Sequence, residues 1–413
     1  MTALLINIVH VSILIFIITR CIRQRIDTSI LWYSLISCYF INIPLLLDSG
    51  MIVCLGEKKA LENIINSDNN WHREYFDYLL KVSFHALLFN ACLFLTYYIF
   101  SFRSISRYRF PCTIQKQLFF SWPFYLCLSW VTLGLFMYHN NIYSIENLGT
   151  ALWYTNRGNN KVIGLLVNIL VPLSSIAILY TIALKKYVVG FFVLIPIILI
   201  GFITGARSQI IGLALFVLYF FIWKTKNQKH NRLLLLRLAI VGAIVAYSMV
   251  FFRTESEAIY PFKKDVSYED LFYAYKNSHY FTTEGSNTTR LILTGFYRYE
   301  AEDLTAVLAS EKYVRDWGTL HPTLLGWAYI DLQEMFWLLA LYFGVFIAFC
   351  DRLRYALHPK YNLMFLSFVF SFLSIALRGS VQYGYATIIY PFIIFLAFYL
   401  YHKSQSYAHP LHP

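Results

Sequence analysis

The chain has 413 residues, 58% of them hydrophobic and only 14% charged, with a formal net charge of +12. A soluble domain is about 45–50% apolar and about 25% charged, so these values exclude a secreted disulfide scaffold, a cytosolic enzyme and a DNA-binding domain. Aromatic residues make up 19% of the chain, a share that suits a protein with two membrane–water interfaces to line.

A membrane-spanning helix needs about 20 apolar residues. The apolar runs predict about eleven spans, at 3–19, 29–47, 79–100, 118–138, 162–184, 187–204, 208–223, 233–252, 328–349, 361–377 and 384–401. The expected fold is an all-α polytopic integral membrane protein whose residues 1–413 form a single transmembrane domain. The first run lacks a basic leader and a small-residue cleavage site, so it reads as a retained span.

The connecting segments divide by charge. Segments 20–28, 101–117, 185–186, 224–232, 350–360 and the tail from 402, with Arg237 one turn into the eighth span, hold 18 of the 34 basic residues and only two acids, Asp27 and Asp351. The positive-inside rule makes that side cytoplasmic. It puts the N-terminus outside and the C-terminus inside, and it assigns the basic balance to topology and lipid contact rather than to nucleic acid.

The external segments are unequal. Residues 48–78 form a medium loop, 139–161 a short one, and 205–207 and 378–383 are mere turns. Residues 253–327 form a periplasmic loop of about 75 residues, a length that is usually functional. Within it Ser267-Tyr-Glu-Asp270 has a capping-box pattern that opens a short helix through about Lys276. A second helix is expected from about Arg290 to Ser310, bent at Gly295, and both suit the outer interface.

Several chemistries lack their motifs. There is no G-x-x-x-x-G-K-[ST], G-x-G-x-x-G, H-E-x-x-H or G-x-S-x-G. No Asp-x-Asp occurs, so no metal or other cofactor is expected. Of seven cysteines only Cys54 lies outside, and no C-x-x-C occurs, which argues against an internal bridge or a redox pair. The tail's His402, His409 and His412 read as a frayed end.

What stands out are cations on the side where the topology rule disfavours them. Gly205-Ala206-Arg207-Ser208 joins two spans with almost no loop, so Arg207 sits at the outer boundary with small neighbours. Arg378-Gly379-Ser380 repeats the arrangement between the tenth and eleventh spans. An arginine at a span centre costs about 2.5–3.5 kcal/mol, and less near an end. Each arginine either binds an anion or snorkels to lipid headgroups. The long loop adds Arg253, Arg290, Arg298 and Arg315, which grip a lipid pyrophosphate bidentately or pair with Glu300, Glu302 and Asp303. His321, ahead of Pro322, is a candidate acid, base or phosphate donor, or an interfacial residue, and Glu334, in the first turns of the ninth span, is a candidate base.

Three features together resemble the Wzy-type O-antigen polymerases, which polymerise oligosaccharide repeat units. They are Ile200-Gly-Phe-Ile-Thr-Gly-Ala-Arg207 followed by a span, His321-Pro-Thr-Leu-Leu-Gly326 opening the span after the long loop, and the plan of about eleven spans with one dominant periplasmic loop. The family often carries a Glu after the Leu-Gly pair, where this chain has Trp327 and later Gln333-Glu334-Met335. The Arg-x10-Gly match from Arg315 to Gly326 is expected by chance in a chain of this composition and carries no weight.

The resemblance implies a glycosyltransferase-C-like enzyme of the bacterial inner membrane with a periplasmic active site. A growing glycan on undecaprenyl pyrophosphate would pass to the non-reducing end of an undecaprenyl-pyrophosphate-linked repeat unit. The residues singled out above then take roles in such a reaction, Arg207, Arg290, His321 and Glu334 as candidate catalytic residues and Arg253, Arg298 and Arg378 on the pyrophosphate. Its partners would be membrane lipids and the flippase and chain-length regulator of the same pathway. Two rivals remain, an O-antigen ligase acting on lipid A–core and a lipid-linked-oligosaccharide flippase. The flippase would need mid-membrane charges and two equivalent halves, neither of which is visible in the sequence.

The topology can be tested with reporter fusions. Fusions after Lys226 and Lys360 should read cytoplasmic, and those near Asn147 and Asn287 periplasmic. A cytoplasmic reading at Asn287 would put the long loop on the wrong side.

Overall fold

The computed structural model describes residues 1–24, 28–56, 72–101, 122–139, 186–204, 269–276, 322–356 and 359–378, with a few single positions besides. All elements among them are helical. They are α1 (Thr2–Gln24), α2 (Ser29–Ser37), a π-helical turn (Cys38–Asn42), α3 (Ile43–Leu55), α4 (His72–Ser101), α5 (Trp122–His139), α6 (Tyr187–Thr204) and α7 (Glu269–Lys276). After these come α8 (Thr323–Leu332), a 3-10 turn (Gln333–Met335), α9 (Trp337–Ala356) and α10 (Pro359–Arg378).

Three stretches, Thr2–Gln24, Ser29–Leu55 and Tyr75–Ser101, are long and apolar enough to cross a membrane. The first of them keeps large apolar side chains on its outer face. On α1 the buried residues are Asn7, His10, Leu14, Ile17 and Cys21, one face at helical spacing. Leu5, Ile8, Val9, Ile13, Ile15 and Phe16 are exposed. An apolar outer face, with Asn7 and His10 among the buried residues, suits a helix solvated by lipid tails.

The buried polar groups knit the helices together. Asn7 Nδ2 of α1 lies 3.1 Å from the Leu45 carbonyl oxygen of α3, 3.2 Å from Ser49 Oγ and 3.0 Å from Ser83 Oγ of α4. Asn90 Nδ2 of α4 lies 2.7 Å from His10 Nε2 of α1, and Asn90 Oδ1 accepts from the Tyr33 hydroxyl of α2. The π-helical turn sits beside this cluster because Pro44, early in α3, has no N–H and crowds the preceding turn. Asn42 Nδ2 then donates to the Ser37 carbonyl oxygen at 3.0 Å.

The order of the bundle's ends follows from contacts. Lys81, early in α4, meets Glu334 just ahead of α9, and Tyr97, late in α4, meets Asp351 late in α9. Ser29, at the start of α2, meets the same aspartate. The Glu334 end therefore also holds the start of α1, the end of α3 and, because α10 turns back on α9, Arg378.

Seven predicted spans coincide with described helices, and those at 162–184, 208–223, 233–252 and 384–401 lie, single positions apart, outside the described residues. Three boundaries differ from expectation. The 48–78 loop contracts, because α3 runs on to Leu55 and α4 begins at His72, and the buried Asp48 accepts from the Tyr75 hydroxyl at 2.9 Å. The predicted 350–360 loop is mostly helix, with Asp351 and Arg354 fully buried. The predicted 328–349 span breaks at Gln333, so α9 begins only at Trp337.

Helices α4 and α9 approach closely at Gly344. A methyl group there would lie 2.6 Å from the Leu93 carbonyl oxygen and 2.8 Å from Thr96 Cβ. Backbone cannot yield as a flexible side chain can, so Gly344→Ala should destabilise the purified protein by about 1–3 kcal/mol. At Gly134 of α5 a methyl meets nothing within 4 Å, and Gly134→Ala should be stabilising by up to about 1 kcal/mol. Thermal unfolding of both variants in one detergent checks the contrast.

Candidate functional site

The sequence-chosen Arg207, Arg253, Arg290, Arg298 and His321 lie outside the described residues, as do Arg315 and the predicted second loop helix. Two chosen residues are described. Arg378 ends α10, half-buried, at the Glu334 end of the bundle. Glu334 lies not within the ninth span but in the 3-10 turn ahead of it, and there it has company that the sequence reading missed.

The site is built from three parts of the chain. Helix α4 supplies Lys81 and His85, whose i, i+4 spacing puts both on one face. Helix α8 supplies Tyr329, and the 3-10 turn supplies Glu334. The turn exists because Gln333 takes φ 50°, which ends α8 and redirects the chain. A non-glycine residue in that region costs of order 1–3 kcal/mol and persists only where its surroundings hold it. Here Gln333 Nε2 donates to the Ser278 carbonyl oxygen at 3.1 Å, just past α7.

Helix α7 completes the site. It packs on α8 where Gly326 has no side chain, since a methyl group there would lie 2.8 Å from Leu271 Cδ1 and 3.1 Å from Ala274 Cβ. That closeness stacks Tyr275 flat on Tyr329, with centroids 4.0 Å apart and planes 2° apart. On the other side His85 stacks on Phe336 at 4.4 Å.

The polar atoms divide their work. Lys81 Nζ donates to Glu334 Oε1 at 2.9 Å and to the Tyr329 hydroxyl at 2.6 Å, and that hydroxyl lies 3.2 Å from the same Oε1. His85 Nδ1 lies 3.1 Å from the Tyr275 hydroxyl, while its Nε2 faces Glu334 Oε2 across 3.9 Å. The Lys81 hydrogen bond, ahead of the opposing effect of partial burial, holds the Glu334 carboxyl below the usual carboxylate range. Burial holds the Tyr275 phenol well above its usual value, so it stays protonated.

The arrangement presents a carboxylate, an ammonium and an imidazole against an aromatic wall. Side chains of Lys81 and Glu334 are 37% and 70% exposed, while that of His85 is 9% exposed. It can take up a proton or bind a hydroxyl. Among the described residues no group of three His, Cys, Asp or Glu could hold a metal ion. A signal for Lys81 and His85 was present in the sequence: both are basic groups in the first turns of the third predicted span, on the side where cations are disfavoured. Comparison with protein families, with curated proteins and with solved structures finds no match to this chain.

An ion pair this exposed contributes about 0.2–1 kcal/mol. The carboxyl's folded-state value is depressed, so that contribution is full above the ordinary glutamate value of about 4.3 and is lost as the pH falls through the lower one. Glu334→Gln and Lys81→Gln should therefore leave the unfolding temperature at neutral pH nearly unchanged. A large fall in either variant would make the pair a structural bolt.

Proposed function

We propose that this protein is a membrane glycosyltransferase that joins lipid-linked oligosaccharide repeat units, a polymerase of the O-antigen type. The growing glycan on undecaprenyl pyrophosphate is the donor. A hydroxyl at the non-reducing end of a second lipid-linked unit is the acceptor. The reaction takes place at the periplasmic face of the inner membrane, the side that the basic-residue count assigns to the long loop and to the Glu334 end.

The observation that carries this reading is the ionised, accessible Glu334 beside Lys81, Tyr329 and His85 at one end of the helical bundle. A glycosyl transfer needs a group to receive the acceptor's hydroxyl proton and charge to stabilise the departing pyrophosphate. The first need is met by this cluster. For the second, the sequence offers Arg207, Arg253, Arg290, Arg298 and Arg378, with His321 as a further acid. Preorganised arginines stabilise a diphosphate without a metal, so polymerisation by the purified protein should persist in excess EDTA. Rescue of a chelated enzyme by magnesium or manganese would implicate Glu300, Glu302 and Asp303 instead.

Lipopolysaccharide from a deletion strain tests the activity. A ladder that collapses to core plus one repeat identifies a polymerase, loss of all repeats from the core identifies a ligase, and repeat units trapped at the cytoplasmic face identify a flippase. Arg207 tests the site. If it grips pyrophosphate bidentately, Arg207→Lys should lose polymer nearly as completely as Arg207→Ala, because lysine is only a point charge. Normal chains from Arg207→Ala at matched membrane abundance would remove it from the site.

A further inference from the structure

We propose that His85 Nε2 is the atom that takes the acceptor's proton, with Glu334 as its carboxylate partner and Tyr275 as the residue that positions the ring. This deepens the polymerase reading and rests on it. The argument begins with which atoms are occupied. Glu334 Oε1 already accepts from Lys81 and lies 3.2 Å from the Tyr329 hydroxyl, and His85 Nδ1 is paired with the Tyr275 hydroxyl. The atoms left over, Glu334 Oε2 and His85 Nε2, face each other 3.9 Å apart. That is too far for a hydrogen bond, and an oxygen that bridged the two atoms would lie about 2.8 Å from each. A sugar hydroxyl seated there donates its proton to one atom while the other steadies the charge that forms.

Chemistry then separates the two. Lys81 holds Oε1, so the remaining oxygen, Oε2, is placed to stabilise a cation that forms on the ring. The imidazole is held for the opposite role. Tyr275, arriving on α7 of the long loop, offers its hydroxyl oxygen to the Nδ1–H and so leaves the Nε2 lone pair to take the proton, while the Phe336 stack fixes the ring plane. In the step itself the acceptor oxygen forms its bond to the donor's anomeric carbon as the bond to pyrophosphate breaks. The hydroxyl proton passes to Nε2, and the lipid pyrophosphate leaves with the electron pair. The imidazolium, facing Glu334, returns its proton to water.

The test uses the purified full chain and lipid-linked repeat units extracted from a strain that lacks the polymerase. His85→Ala should lower the initial rate at least 100-fold, within the usual range for a lost general base. Added imidazole, which fits the space the ring vacates, should restore at least tenfold of that. Tyr275→Phe should lower kcat about tenfold with little change in acceptor KM, since it removes only the hydroxyl that orients the ring. If His85→Ala does not fold, His85→Gln replaces it, keeping much of the volume without a basic nitrogen, and should lose rate at an unchanged unfolding temperature. A folded variant that keeps its rate overturns the proposal, as does a His85→Ala loss that imidazole leaves untouched. Wild-type protein that leaves the repeat units unjoined overturns the polymerase reading, and the proposal with it.

Discussion

A carboxylate enclosed by apolar helices must find donors within the protein, and Asp351 finds them in the backbone of a helix 322 residues away. The Ser29 N–H lies 2.9 Å from Oδ1 and 3.0 Å from Oδ2, Ser29 Oγ donates at 2.6 Å, and the Tyr97 hydroxyl donates to Oδ2 at 2.7 Å. Asp351 on α9 thus serves α2 as a cap supplied in trans, taking up an N–H that the helix leaves unpaired at its start and placing a negative charge at the positive end of its dipole. Tyr97 adds α4 to the same point. Removing one donor from so buried an acceptor costs about 1–3 kcal/mol, because part of its lost hydration is then left without compensation. One residue therefore fixes three helices at one end of the bundle. Their registers at the other end, where Lys81 meets Glu334, depend on it.

Such devices suit helices long and apolar enough to cross a membrane, because lipid tails give helices little hydrophobic reason to associate. What remains is close packing and interhelical hydrogen bonding, and both occur along the α4–α9 seam and its neighbours. Gly344 allows backbone contact between α4 and α9, and Asn7 and Asn90 tie α1 to α3 and α4 nearer the Glu334 end. Each such polar contact is worth about 0.6 kcal/mol on average in a membrane bundle. Their number and spread, rather than any one of them, give a rigid frame. A frame of that kind can hold Glu334 and His85 at a fixed separation.

Helices were legible in the sequence where composition alone decides. Apolar runs located helices at seven places, and the Ser267 capping pattern located α7 with its end at Lys276. What escaped were residues whose environment is made by distant parts of the chain. Asp48, Asp351 and Arg354 read as loop residues because a charge lowers a hydropathy window, yet all three are fully buried. The break at Gln333 has no glycine or proline to announce it, and Thr323–Leu332 reads straight into the following span. It is set by α7 packing on α8, which is tertiary information. Lys81 and His85 obeyed the same rule that singled out Arg207. They are less legible because they lie inside an apolar run, at 79–100, whereas a cation at a hairpin tip stands alone between two such runs.

The site also shows why a strained turn and a loop helix belong together. Gln333 in its left-handed conformation is unfavourable alone, and its tether to the Ser278 carbonyl exists only while α7 is docked. Docking of α7 in turn depends on the absence of a side chain at Gly326 and on the flat Tyr275–Tyr329 stack. Helix α7 therefore helps to form the site, since without it both the turn that presents Glu334 and the partner of His85 Nδ1 are lost. Lys81 completes the arrangement from the rigid side. Its charge keeps Glu334 ionised and is cancelled by it, so the pair adds no net charge at this end of the bundle. The field that an incoming anion meets there is left to other cations, of which Arg378 is one. Charge stabilisation and proton transfer can then be served by separate residues.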